Sequence, residues 1–106
     1  MTRLFGKREK TAEEWVDLSR KAKRPKEEIK CYTKGLELDP KNADAWNNRG
    51  VVLTELERYE EAIRCFDKAL EINPKDNIAW TSKGFALNNL RRYEEAIKCF
   101  DKALEI

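Results

Sequence analysis

Residues 43–76 read ADAWNNRGVVLTELERYEEAIRCFDKALEINPKD, and residues 77–106 resume with NIAWTSKGFALNNLRRYEEAIKCFDKALEI. Trp46 recurs as Trp80, Gly50 as Gly84, Tyr59 as Tyr93, Phe66 as Phe100 and Ala69 as Ala103, each 34 residues on. Self-similarity at one fixed period of this size marks a row of stacked units rather than a closed globule.

Within one unit the apolar pattern predicts two helices. Ala45, Trp46, Gly50, Leu53 and Leu56 sit three or four apart and form one helical stripe; Tyr59, Ala62, Ile63, Phe66, Ala69, Leu70 and Ile72 form a second. Glu57 and Arg58 interrupt the pattern only long enough for a tight turn. Pro74 ends the second helix, because the residue before a proline is pushed out of helical geometry. A single hairpin cannot bury both stripes, so its neighbour has to cover the remainder. Gly50 and Gly84 cost about 1 kcal/mol each relative to alanine inside a helix. Close approach of the partner helix, with Ala62 and Ala96 as the facing residues, is the expected reason.

Trp46, Gly50, Leu53, Tyr59, Ala62, Phe66, Ala69 and Pro74 resemble the signature positions of the tetratricopeptide repeat family, and Trp80, Gly84, Leu87, Tyr93, Ala96, Phe100 and Ala103 repeat the match. The resemblance implies an all-α, right-handed superhelical solenoid of three antiparallel helix-turn-helix units. The expected repeats are residues 11–42, 43–76 and 77–106, after a flexible basic arm at residues 1–10 that lacks the apolar run of a secretory signal. Glu57 and Arg91 stand where the family often has a turn glycine, so a slightly altered hairpin is expected there.

The first unit is the least regular. Thr11 and Glu14 form a capping box ahead of an apolar pattern. Aligning AEEWVDLSRKA with ADAWNNRGVVL pairs Trp15 with Trp46 and Ser19 with Gly50, and leaves the first hairpin about three residues short. The gap-free alternative puts Val16 at the glycine position. Pro25 opens the following helix, where its missing amide costs nothing, and Asn42 and Asp76 are the expected caps of the next two first helices.

Composition narrows the function classes. With 41% hydrophobic and 40% charged residues in 106, the chain reads as one domain with a thin core, and no apolar run approaches membrane-spanning length. There is no histidine, and the four glycines are isolated, so the commonest general base and a phosphate-cradling loop are both missing. Cys31, Cys65 and Cys99 recur one per unit, without a Cys-x-x-Cys pair, and read as small packing residues in a reducing, hence cytoplasmic, compartment. No metal, cofactor or catalytic role is expected. Glu60 with Arg64, and Glu94 with Lys98, have the spacing of helix-surface ion pairs. Residues 1–34 carry 11 Lys/Arg against 6 Asp/Glu, and the remainder 11 against 14. Glu13, Glu14 and Asp17 interrupt the basic part and argue against a nucleic-acid partner.

The two complete copies, 43–72 and 77–106, share 19 of 30 positions, and ten of the 11 differences fall in the first helix or its turn. In the family resembled, first helices line a concave groove that takes an extended peptide or a partner helix. Carried over, that groove presents Asn47, Asn48, Val51, Thr54 and Glu55 from the middle unit and Thr81, Ser82, Phe85, Asn88 and Asn89 from the last. Val16 and Arg20, with Glu13 and Lys23, come from the first unit. Some family members clamp a chaperone's C-terminal carboxylates with two lysines, an arginine and two asparagines. Asn48 matches one asparagine, but Ile78 and Ser82 occupy a lysine and the arginine position, and the first-unit positions hold Val16 and Arg20, or Glu13 and Asp17 without the gap. A carboxylate-clamp ligand is therefore not expected. The expected function is a non-catalytic scaffold for a protein or peptide, with Phe85 as an apolar anchor. The alternative is a building block that self-associates through its C-terminal end, which stops at the equivalent of Ile72 without the further polar helix that closes arrays of this kind; a segment of a longer array has the same ending.

Overall fold

Six helices and no strand make up the described residues, 9–21 and 24–106, of the computed structural model. They are α1 Ala12–Lys21, α2 Pro25–Leu38, α3 Ala43–Glu55, α4 Tyr59–Ile72, α5 Asn77–Asn89 and α6 Tyr93–Glu105. The predicted arm lies outside the described residues apart from Glu9 and Lys10, as do Ala22 and Lys23. Helices pair as α1–α2, α3–α4 and α5–α6; the pairs stack through α2–α3 and α4–α5, and α3 also meets α5. The body measures 56 × 24 × 17 Å with a radius of gyration of 15.5 Å. A compact domain of this length would have a radius near about 13 Å. The elongation is that of hairpins in series.

Helix starts follow the sequence. Thr11 Oγ1 accepts from the Glu14 amide at 3.2 Å while the Thr11 amide donates to Glu14 Oε1 at 2.9 Å, which is the capping box. Asn42 Oδ1 accepts from Ala45 N at 3.0 Å, and Asp76 Oδ1 from Ala79 N at 3.1 Å. α1 begins 31 residues before α3, whereas α2 begins 34 before α4. The missing residues therefore fall in α1 and its turn, as the gapped alignment expects. Packing agrees: a Cβ on Gly35 would lie 3.4 Å from Trp15 Cβ, and its counterpart Ala69 packs with Trp46.

The turns after α3 and α5 are not altered. Glu57 and Arg91 adopt left-handed backbone at φ 60° and 62°. In the first turn Arg58 N donates to Leu53 O at 2.8 Å, and in the second Arg92 N donates to Leu87 O at 2.9 Å. This is the bond of a Schellman ending, a geometry normally given to glycine because a side chain crowds the following carbonyl. The sequence kept the conformation and took the strain. Glu57→Gly is expected to stabilise the domain by about 0.5–1 kcal/mol, with the gain from relieved strain partly offset by a freer unfolded chain. A urea midpoint that falls in this variant would contradict that reading.

The core is a strip running along the row. Val16, Tyr32 and Leu36 of the first pair continue into Ala45, Leu53, Ala62 and Phe66 of the second. Ile63 of α4 then packs with Ala86, Leu87, Ala96 and Cys99 of the third. Gly50 and Gly84 are close-approach positions, but the group that excludes a methyl is not Ala62 or Ala96. A Cβ on Gly50 would stand 2.6 Å from Phe66 Cε1, and one on Gly84 would stand 2.6 Å from Phe100 Cε1. The repeating tryptophans have a polar role as well: Trp46 Nε1 donates to Pro40 O at 2.8 Å and Trp80 Nε1 to Pro74 O at 2.9 Å. Each indole thus pins the proline that ends the preceding helix.

Polar contacts join the units on the side away from the inner face. Arg49 of α3 donates to Thr33 Oγ1 of α2 at 3.0 Å and to Cys65 Sγ of α4 at 2.9 Å. The equivalent Lys83 reaches Asp67 of α4 at 2.6 Å. Glu60 pairs not with Arg64 but with Arg92 of the next unit at 3.1 Å, because Arg92 is already held by a two-pronged contact to Glu95. Those hydrogen bonds from Arg92 also hold the Glu95 carboxyl below its ordinary range. The three cysteines are buried and unbonded to one another, and burial pushes each thiol up.

Candidate partner-binding face

The face built by the first helices is settled by what their other faces do. On α3, Ala45, Gly50, Val52 and Leu53 are buried, and on α5, Ala79, Gly84, Ala86 and Leu87. Arg49 and Lys83 are committed to α2 and α4. The stripes left over on α3 and α5 lie next to each other, since these two helices touch directly.

On α5 that stripe carries Ile78, Thr81, Ser82, Phe85, Asn88 and Asn89. Phe85 is 54% exposed, so it is not part of the core. Thr81, Asn88 and Asn89 are exposed and Ser82 is half-buried. Asn89 Nδ2 donates to Phe85 O at 2.9 Å, and its Oδ1 accepts from the Tyr59 hydroxyl at 3.4 Å. On α3, Val51 and Glu55 are exposed, and Asn48 and Thr54 are half-buried, with Thr54 Oγ1 donating to Gly50 O at 2.9 Å.

Two predicted groove residues are placed otherwise. Val16 is 6% exposed and belongs to the core; its Cγ2 lies 3.3 Å from where a Gly35 Cβ would be. α1 here packs on a glycine of α2, which draws the neighbouring side chain inward. Asn47 is 7% exposed, and its Nδ2 donates to Asp76 Oδ2, the carboxylate that caps α5. Its Oδ1 is buried without a hydrogen-bond partner. Asn47 fastens one unit to the next rather than facing a groove. Of the remaining first-unit residues, Glu13 is exposed on α1, and the side chain of Arg20, like all of Lys23, lies outside the described residues.

One residue was missed. Ile78 is 66% exposed and stands seven residues before Phe85, two helical turns down the same stripe. The sequence reading had weighed position 78 only as a missing lysine. The signal was available in the alignment, because Ile78 is the counterpart of Asp44, at the first exposed position of each inner stripe.

A second apolar surface lies at the far end. Ile97 is 58% exposed on α6, whereas its counterpart Ile63 on α4 is 8% exposed beneath α5. Tyr93 and Leu104 are bare in the same way.

Comparison with known proteins matches the tetratricopeptide repeat model to residues 43–76 and 78–106, and a protein prenyltransferase alpha subunit repeat model to residues 25–56. No curated protein matches. A crystal structure of MamA superimposes with a TM-score of 0.86 at 28% identity, covering 90% of this chain and 57% of that one. The chain thus spans little more than half the length of that structure. The first TPR of Spaghetti (RPAP3) bound to HSP90 peptide SRMEEVD gives 0.85 at 29% identity, over 89% of this chain and 77% of that one. The second TPR of the same protein, bound to the same peptide, gives 0.83 at 27% identity, over 88% and 89%.

Proposed function

Because this chain belongs to the tetratricopeptide repeat family, we propose that it is a non-catalytic interaction scaffold that holds a peptide or helix of a partner protein against the inner stripes of α3 and α5. The observation that carries the reading is Phe85, a large aromatic side chain left open among amides and hydroxyls on the surface formed by the first helices. Aromatic anchors of this kind dominate interface energies, and amides suit the backbone of an extended chain. The site comprises Asn48, Val51, Thr54, Glu55, Thr81, Ser82, Phe85, Asn88 and Asn89, to which Ile78 and Asp44 are added. It is not a carboxylate clamp, since Ile78 and Ser82 supply no cation. No described helix is long and apolar enough to cross a membrane, and three buried free thiols suit a reducing, cytoplasmic setting. The test is a pull-down from lysate with the chain and with a Thr81→Ala, Phe85→Ala, Asn88→Ala variant. Proteins retained by the first and lost by the second support the groove; identical retention refutes it.

The bare stripe of α6 favours a second reading, self-association. Head-to-tail stacking is unfavourable, because α1 carries Glu14 and Lys21 where α3 has Ala45 and Val52 and α5 has Ala79 and Ala86, all four buried. Pressing those charges onto apolar α6 would desolvate them without partners. Self-association would therefore join α6 to α6 in a symmetric dimer. Light scattering at rising concentration is then expected to show a dimer that Ile97→Glu returns to monomer; monomer throughout removes this reading.

A further inference from the structure

The inner face also carries a charge pattern that limits what it can hold, an inference that rests on the groove reading above. Each of α3 and α5 has one cation, and both are turned away from the inner stripes. Arg49 is spent on Thr33 and Cys65, and Lys83 on Asp67 while lying 5.8 Å from the Trp80 ring centroid. The charges that stay on the inner stripes of these helices are Asp44 and Glu55, both exposed. Neither forms an ion pair among the described residues, in contrast to Glu60, Glu61 and Glu95 on the second helices. Near Glu55, the Glu28 carboxyl of α2 is pushed above its ordinary range, first by burial and then by the Glu55 charge, so the acidic potential at this end is not neutralised locally.

Between these acids lie two apolar side chains, Ile78 and Phe85, with Val51 across from them on α3. Seven helical residues span about 10.5 Å, the length of about three residues of extended chain or two turns of a helix. We propose that this face selects a basic, apolar segment: a peptide presenting two apolar side chains to Ile78 and Phe85, with lysine or arginine beside them opposite Asp44 and Glu55. Complementary charge of this kind sets specificity and speeds encounter more than it adds affinity, so the apolar pair supplies the anchor and the acids choose the partner. An acidic tail such as the SRMEEVD peptide finds no cation on the inner stripes of α3 and α5.

The test is a selection of random dodecapeptides against the full chain, counter-selected on its Phe85→Ala variant, with the enriched peptides then labelled and titrated by fluorescence anisotropy. Expected are peptides of net positive charge carrying an apolar pair. Their affinity should fall about tenfold or more with Phe85→Ala and also with Ile78→Ser, a more exposed site where loss of fold is not at issue. Glu55→Lys should weaken them several-fold and do so less at high salt. Phe85-dependent peptides that are acidic or uncharged would overturn this inference and leave the groove reading standing. No enrichment over the variant would overturn both.

Discussion

Phe66→Ala is expected to remove about 3–5 kcal/mol of stability, a large share of the roughly 5–15 kcal/mol that holds a domain of this size together. Phe66 is fully buried, in the strip of core that joins the first pair of helices to the second. Its ring fills the space above Gly50 and has no route to solvent. Phe100 occupies the same place in a nearly identical helix, yet it is only half-buried because nothing covers α6. Phe100→Ala should accordingly cost well under the full amount. Urea unfolding followed by circular dichroism gives both values. Equal losses at the two sites would mean that burial along the row is not what separates the units.

Gly50→Ala is the second large effect, and its sign is a contest between two terms. Alanine favours the helix by about 1 kcal/mol over glycine. Against this, its methyl would meet three atoms of the Phe66 ring at 2.6, 2.8 and 2.9 Å. Overpacking of a filled core costs about 1–3 kcal/mol, and a fully buried ring cannot swing aside, so the clash wins and the variant should lose about 1–2 kcal/mol. Gly84→Ala makes the same short contacts with Phe100. That ring borders solvent and can yield, so the helix term compensates and the net change should be small. Coupling identifies the cause: with Phe66→Leu already in place, Gly50→Ala should cost much less than it does alone. An unchanged cost would put the origin of Gly50 elsewhere.

Much of the architecture was legible because it is periodic. A spacing of 34 residues, two apolar stripes and a proline determine a helical hairpin, and Thr11, Asn42 and Asp76 announce their helices by chemistry that acts within one turn. What the sequence hid depends on contacts between residues distant along the chain. Small residues suggested that Gly50 faces Ala62, but the group filling the gap is an aromatic ring reaching over from Phe66. Local spacing suggested Glu60 with Arg64, whereas the acid is taken by Arg92, 32 residues on. Glu57 and Arg91 looked like departures from a glycine turn, yet the closing hydrogen bond kept the turn and imposed left-handed backbone on ordinary residues.

The candidate site was legible in part for the same reason. Differences between copies pointed to the first helices, and Val51, Phe85, Asn88 and Thr81 do sit on their open stripes. Val16 and Asn47 were misplaced because a register transferred between units assumes that every unit packs alike. The first unit has Gly35 where the second has Ala69, and Asn47 meets the cap of the following helix. Ile78 went unread because one residue type was sought at its position.

The most direct test is a two-dimensional amide NMR titration of the labelled chain with the tightest peptide from an unbiased selection. Binding to the inner stripes should shift Val51, Thr81, Ser82, Phe85 and Asn88 while the amides of α2, α4 and α6 stay in place. Shifts confined to the open stripe of α6, around Ile97 and Leu104, would contradict the account.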